Sequence, residues 1–215
     1  MSHSKLPGIM DGDQTKLLKG ISNTEYSDVT IYIGKIELPA HASVLAVQSR
    51  YFEKALKSRF QEGETKVFRF ESGSGHAYWR VFDYLYTGTY SDEAYQNLEI
   101  DDDIELLKHI RVYALADFFF IDELKEIACK MFKSKLQNLW VSETLVDCIS
   151  EVYTTTHEED KAMRRVVLDV VSNHLKDLWN GKVFQNLVRD NGNFAVDLVE
   201  KLNEIVRAAP NKLGW

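Results

Sequence analysis

Cysteine is nearly missing from this chain: its 215 residues carry two, Cys129 and Cys148. Two thiols so far apart in sequence supply neither a disulfide framework nor a four-ligand zinc site. Each falls in an apolar-periodic segment, where cysteine behaves as a small buried hydrophobe. Basic charge is also in short supply, with 26 Lys and Arg against 33 Asp and Glu and a net charge of −7. Affinity for a phosphate backbone comes mainly from Lys and Arg, so nucleic acid is not an expected partner. The local group Lys161, Arg164 and Arg165 adjoins Glu158, Glu159 and Asp160 and reads as a solvated helix face. No apolar run approaches the length of a membrane span, and residues 1–14 lack the apolar core of a signal peptide. An intracellular chain, in cytoplasm or nucleus and without a membrane partner, is expected.

Motifs of chemistry are missing too. There is no nucleophile elbow, no Walker loop and no HExxH pair. Ser72-Gly73-Ser74-Gly75 is glycine-rich but lacks the Lys and following Ser/Thr of a phosphate cradle. Ser150, His157 and Asp160 lie close in sequence around a Thr-rich turn that gives them no orientation as a triad. The expectation is a non-enzymatic protein with no cofactor, no metal and no small-molecule substrate.

What is present is the composition of a globular protein, 45% hydrophobic and 27% charged. Residues 1–13 read as a loose polar tail, and Asp13 can cap a short helix bearing Leu17, Leu18 and Ile21. Val29, Ile31 and Ile33 alternate with polar neighbours as a strand. Gly34-Lys35 turns the chain, and Pro39 closes a second strand. Two short helices follow, one carrying Val44, Leu45 and Val47, the next Tyr51, Phe52, Ala55 and Leu56 with Ser49 as its cap. Gly63 breaks the pattern before a strand with Phe68 and Phe70. The Ser72–Gly75 stretch reads as a hinge into a helix bearing Tyr78, Trp79, Phe82, Leu85 and Tyr86, which Gly88 stops. Residues 91–103, with six carboxylates, read as a solvated loop leading to a helix cap. From Ile104 onward the period is helical, cleanest over Met163, Val166, Val167, Val170 and Val171, with a last helix carrying Phe194, Leu198, Leu202 and Ile205.

The order of these markers resembles the BTB/POZ domain. Asp28 opens the first strand and His41 stands before the first helix. Leu45, Ser49, Tyr51 and Phe52 match a Leu-x-x-x-Ser-x-x-Phe pattern, and Leu85-Tyr86-Thr87-Gly88 with Tyr90 matches Leu-Tyr-Thr-Gly-x-Tyr. Ala114-Leu115-Ala116-Asp117 through Leu124 resembles the final hairpin. The resemblance implies an α+β fold, a small sheet covered by helical hairpins. It divides the chain into a tail and short helix at 1–23, a BTB/POZ domain at 24–136 and a helical extension at 137–215, as in stand-alone fungal members. The implied function is a protein-interaction module. Phe60-Gln61-Glu62 looks like the hydrophobic-x-Glu motif by which family adaptors contact cullin-3. The alternative is a homo-oligomerising scaffold in transcriptional regulation or complex assembly, with Leu17, Leu18, Ile21 and Asp28 at a dimer interface. Many dimeric transcription-type members carry a basic residue directly after the histidine; Ala42 stands there instead, so Asp28 lacks that partner. These 215 residues show no kelch, zinc-finger, ankyrin or MATH pattern.

Overall fold

The computed structural model describes residues 24, 26–59 and 61–208. The expectations placed on Asp13, Leu17, Leu18, Ile21 and Phe60 lie outside them. The described residues fall into two compact units. One comprises those up to Asp103 with Leu115–Lys125; the other comprises Ile104–Ala114 and those from Glu126 onward.

In the first unit, β1 (Val29–Ile33) buries Val29, Ile31 and Ile33, as its alternation requires. Gly34, at φ 56°, makes the tight turn into β2 (Ile36–Ala40), which pairs antiparallel with β1. The strand runs one residue past Pro39, since β2 lies at the edge of the sheet, where proline is tolerated. β3 (Val67–Phe70) pairs parallel with β1, placing Phe68 opposite Ile31 in the order β2-β1-β3. A parallel neighbour needs a crossover. Here α1 (Ala42–Gln48), α2 (Arg50–Lys57) and α3 (Gln61–Thr65) supply it.

Ser49 caps α2, accepting from the Phe52 amide at 3.3 Å, and donates to the Phe119 carbonyl at 2.8 Å. The expected apolar face of α1 reduces to Leu45; Val47 is 85% exposed, because so short a helix turns one side chain fully inward. Gly63 does not break a helix. It lies inside α3, against the backbone carbonyls of Ser58 and Ala55.

Two further readings change on α4 (Gly75–Thr87). Ser74 is a helix cap rather than a hinge: it accepts from the Ala77 amide at 3.0 Å and donates to Asp103 at 2.5 Å. The acidic loop is not simply solvated, because Arg80 holds it. This guanidinium, 1% exposed, donates to the carbonyls of Ser91 at 3.2 Å and Asp92 at 3.1 Å and to the Asp102 carboxylate at 2.7 Å. His76 is buried beside it, 3.0 Å from the Ile100 carbonyl, with Nδ1 accepting from the Tyr95 amide. Trp79 stacks on Tyr95 at 3.5 Å. Gly88 ends the helix at φ 76°, as expected.

α5 (Glu105–Phe118) and α6 (Asp122–Leu139) each contribute to both units. The second unit adds α7 (Leu145–Thr155), α8 (Ala162–Leu178), α9 (Lys182–Asp190) and α10 (Gly192–Ala208). The valine stripe of α8 is buried, as are Phe194 and Leu198 of α10. Ile205 is 44% exposed, so the stripe of α10 loses its burial toward the C-terminal end. α9 was not separable from the sequence pattern. Nor is Arg164 part of a solvated face: only 3% exposed, it donates to the Thr156 carbonyl at 2.9 Å and lies 4.6 Å from the Tyr153 ring. Cys148 is fully buried, and burial pushes its thiol up to about 12.

Arg80→Met removes the cation and leaves Asp102 and the carbonyls of Ser91, Asp92 and Glu93 facing an apolar side chain. Stability in urea is expected to fall by about 3 kcal/mol, with loss of the Trp79–Tyr95 stack in near-ultraviolet circular dichroism. A loss below about 1 kcal/mol would show that the loop is held by other contacts.

Candidate functional site

Two places gather the residues singled out by sequence. The first is α3. Its five residues are held by local bonds: Thr65 Oγ1 donates to the Gln61 carbonyl at 2.7 Å, and the Lys66 amide to the Glu62 carbonyl at 3.0 Å. Lys66 takes φ 57° and turns back, Nζ donating to the Leu56 carbonyl at 2.9 Å. Gly63 lets α3 close onto the end of α2, since a Cβ there would lie 2.9 Å from the Ala55 carbonyl oxygen and nearer still to that of Ser58. Gln61 and Glu62 are thereby presented on the exposed side. Phe60, the apolar member of the motif, lies outside the described residues.

Sequence reasoning missed the exposed aromatic group around Tyr51. The Tyr51 hydroxyl is raised above its ordinary range, first by burial and then by the Glu62 charge. Tyr51 packs 5.1 Å from the ring of Phe118, which is 52% exposed. Phe120 is 50% exposed, with the Arg50 guanidinium 5.5 Å from its ring. The signal was the run Phe118-Phe119-Phe120 at a helix end: only the middle ring turns inward.

The second place is the start of α1. Asp28 is exposed, and its Oδ1 accepts from the Ala42 amide at 2.7 Å. The carboxylate that lacks a basic partner in sequence thus caps a helix instead. The His41 amide donates to the Tyr86 hydroxyl at 2.9 Å, and Nδ1 lies 3.0 Å from the same oxygen. Gln48 Nε2 donates to the Leu85 carbonyl. Two sequence motifs 45 residues apart are therefore stitched together, and His41 serves as a helix-start residue rather than a ligand. Ser150 and Asp160 do not assemble as a triad: Ser150 donates to the Val146 carbonyl at 3.0 Å, and Asp160 accepts from Tyr113 at 2.7 Å.

This architecture can be compared with known proteins. The BTB/POZ domain family matches residues 18–136, more than half of the chain. The chain belongs to the BTB/POZ family. BTB/POZ domains are protein-interaction modules. Mouse Kelch-like protein 38 is 28% identical over 118 residues, 54% of this chain. Human Kelch repeat and BTB domain-containing protein 4 is 23% identical over 162 residues, 75% of this chain. The chain spans only 20% and 27% of those two proteins' own lengths. Among solved structures, the BTB domain of human Gigaxonin is 18% identical, aligned over 60% of this chain and 98% of that one with a TM-score of 0.39. Among the described residues, no helix is long and apolar enough to cross a membrane.

Burial raises the Tyr86 hydroxyl to about 12 against an ordinary value of 10.0. The folded state therefore keeps its proton where the unfolded chain loses it. The stability this contributes is complete below pH 10 and is lost as pH climbs toward about 12. Tyr86→Phe is expected to cost about 1 kcal/mol at neutral pH and to flatten that alkaline decline. Urea titrations at pH 7 and pH 11 check both. For α3, Gly63→Ala is expected to destabilise by about 2 kcal/mol and to speed amide exchange over Gln61–Thr65. An unchanged exchange pattern would mean that α3 accommodates a Cβ by a small shift.

Proposed function

We propose that this BTB/POZ chain is a non-enzymatic intracellular adaptor that recruits a partner to a cullin-3-type ubiquitin ligase. The face around Glu62 meets the cullin, and residues 137–215 are left to other proteins. The observation that carries this reading is the exposed Glu62 carboxylate, whose charge reaches the Tyr51 hydroxyl, while Tyr51 in turn packs on the half-exposed ring of Phe118. Large aromatic side chains that become covered dominate interface energies, and a neighbouring carboxylate fixes orientation by accepting a hydrogen bond. Phe60 is assigned the apolar anchor on sequence alone. The alternative, a homo-oligomerising scaffold, rests on Leu17, Leu18 and Ile21, outside the described residues, and on Asp28, whose Oδ1 already holds the α1 amide.

Calorimetric titration with the cullin-3 N-terminal domain tests this reading. Wild-type protein is expected to bind with Kd below about 1 μM, and Glu62→Ala, Phe60→Ala and Phe118→Ala each to weaken it by about tenfold or more, with unchanged melting of Glu62→Ala as the control for folding. No heat at about 50 μM would remove the cullin reading and turn attention to self-association.

A further inference from the structure

The second unit carries a groove that the ligase reading does not use, and the inference below stands independently of that reading. The groove lies between the turn after α6 and the α8–α9 junction, with a volume of about 600 Å³. Its apolar walls include Trp140, Val141, Leu178, Val183 and Phe184. Phe184 is 3% exposed and belongs to the floor, whereas Val141 is 68% and Val183 65% exposed. Trp140 is braced from behind by a stack on His174, 3.8 Å between ring centroids and 11° from parallel. A rigid indole and two bare valines on one opening form a surface that gains from being covered.

Charge says by what. Among the described residues, the charged side chains lining the groove are Glu143 and Asp177, both exposed, and no Lys, Arg or His lines it. Lys176 and Lys182 are neighbours in sequence but not part of the lining. A wall of one sign over an apolar floor favours an occupant of the opposite sign and repels acidic ones. Gly181 leaves the first N–H groups of α9 without a side-chain cap at the same opening, where they can donate to peptide carbonyls.

We propose that this groove docks a short segment of another protein that carries one large apolar side chain flanked by Lys or Arg. The apolar side chain enters between Trp140 and Val183, and the basic residues pair with Glu143 and Asp177. The contact selects cargo by charge, and modification that neutralises or inverts the flanking Lys or Arg charge would release it.

The test is fluorescence anisotropy on the full chain with two labelled peptides of equal length. Both share one Trp and Leu anchor; one is flanked by Lys, the other by Glu. The Lys peptide is expected to bind at least about tenfold tighter at low salt, the gap shrinking as salt rises. Glu143→Lys combined with Asp177→Lys should reverse the preference, and both positions are exposed, so the fold survives. Val183→Glu should weaken binding of both peptides, with circular dichroism melting as the control for folding. Equal affinities, an unmoved preference after charge reversal, or no binding of either peptide would overturn the proposal. So would binding seen only after deletion of residues 209–215, which would assign the groove to the chain's own Lys212, Leu213 and Trp215.

Discussion

The first unit turns on one ring. Phe119 is fully buried, stacked on Phe52 at 5.1 Å and edge-on to Phe70 at 5.6 Å and Tyr78 at 6.3 Å, while its carbonyl accepts from Ser49. Those partners come from α2, β3 and α4, so a single side chain from the turn after α5 ties three elements together. To deliver that ring the chain stops α5 abruptly: the Ile121 amide returns to the Ala116 carbonyl at 2.8 Å, and Phe120 takes φ 57°. Few residues other than glycine hold such a backbone. The packing of Phe119 over-determines it. Phe118 and Phe120 are then forced outward, so these exposed aromatics are the geometric cost of burying the residue between them.

A second device recurs in both units. Arg80 and Arg164 are buried guanidiniums: Arg80 collects backbone carbonyls together with the Asp102 carboxylate, and Arg164 the carbonyl and hydroxyl of Thr156 together with Asp197 at 3.8 Å. The planar fork of arginine suits this role, because several donors reach separate acceptors at fixed angles. The effect is to fix loops that have too few apolar residues to fix themselves. Residues 91–103 carry six carboxylates and would repel one another if left free; a cation beneath them lets the segment lie down on α4.

Much of this was legible in the chain. Period-two alternation located β1, and Gly34 and Gly88 marked a turn and a helix end because both need a positive φ. Ser49 and the BTB/POZ motifs were equally plain. What escaped were charged residues inside apolar patterns. Arg80 and Arg164 look solvated in one dimension, since their acceptors lie on segments joined only by folding. Gly63 reads as a breaker because close approach between α3 and α2 leaves no trace in sequence. The candidate site divided in the same way: Gln61 and Glu62 were named, but the exposure of Phe118 beside Tyr51 and of Phe120 beside Arg50 follows only from the Phe119 turn.

The same logic explains why the resemblance to the family survives a departure at Ala42. A basic side chain there would offer Asp28 an ion pair, and an exposed pair is worth little. The backbone amide at Ala42 offers a hydrogen bond that alanine cannot remove, at a helix start where the dipole favours a carboxylate. The carboxylate at Asp28 is thus useful to the isolated fold whatever stands next to His41. Its presence in a chain of this family speaks to folding before it speaks to assembly. Phe118 and Phe120 run the opposite way: Tyr51 and Arg50 cover part of each ring, and the half left exposed adds nothing to the fold, so it is the surface that a partner would gain by covering.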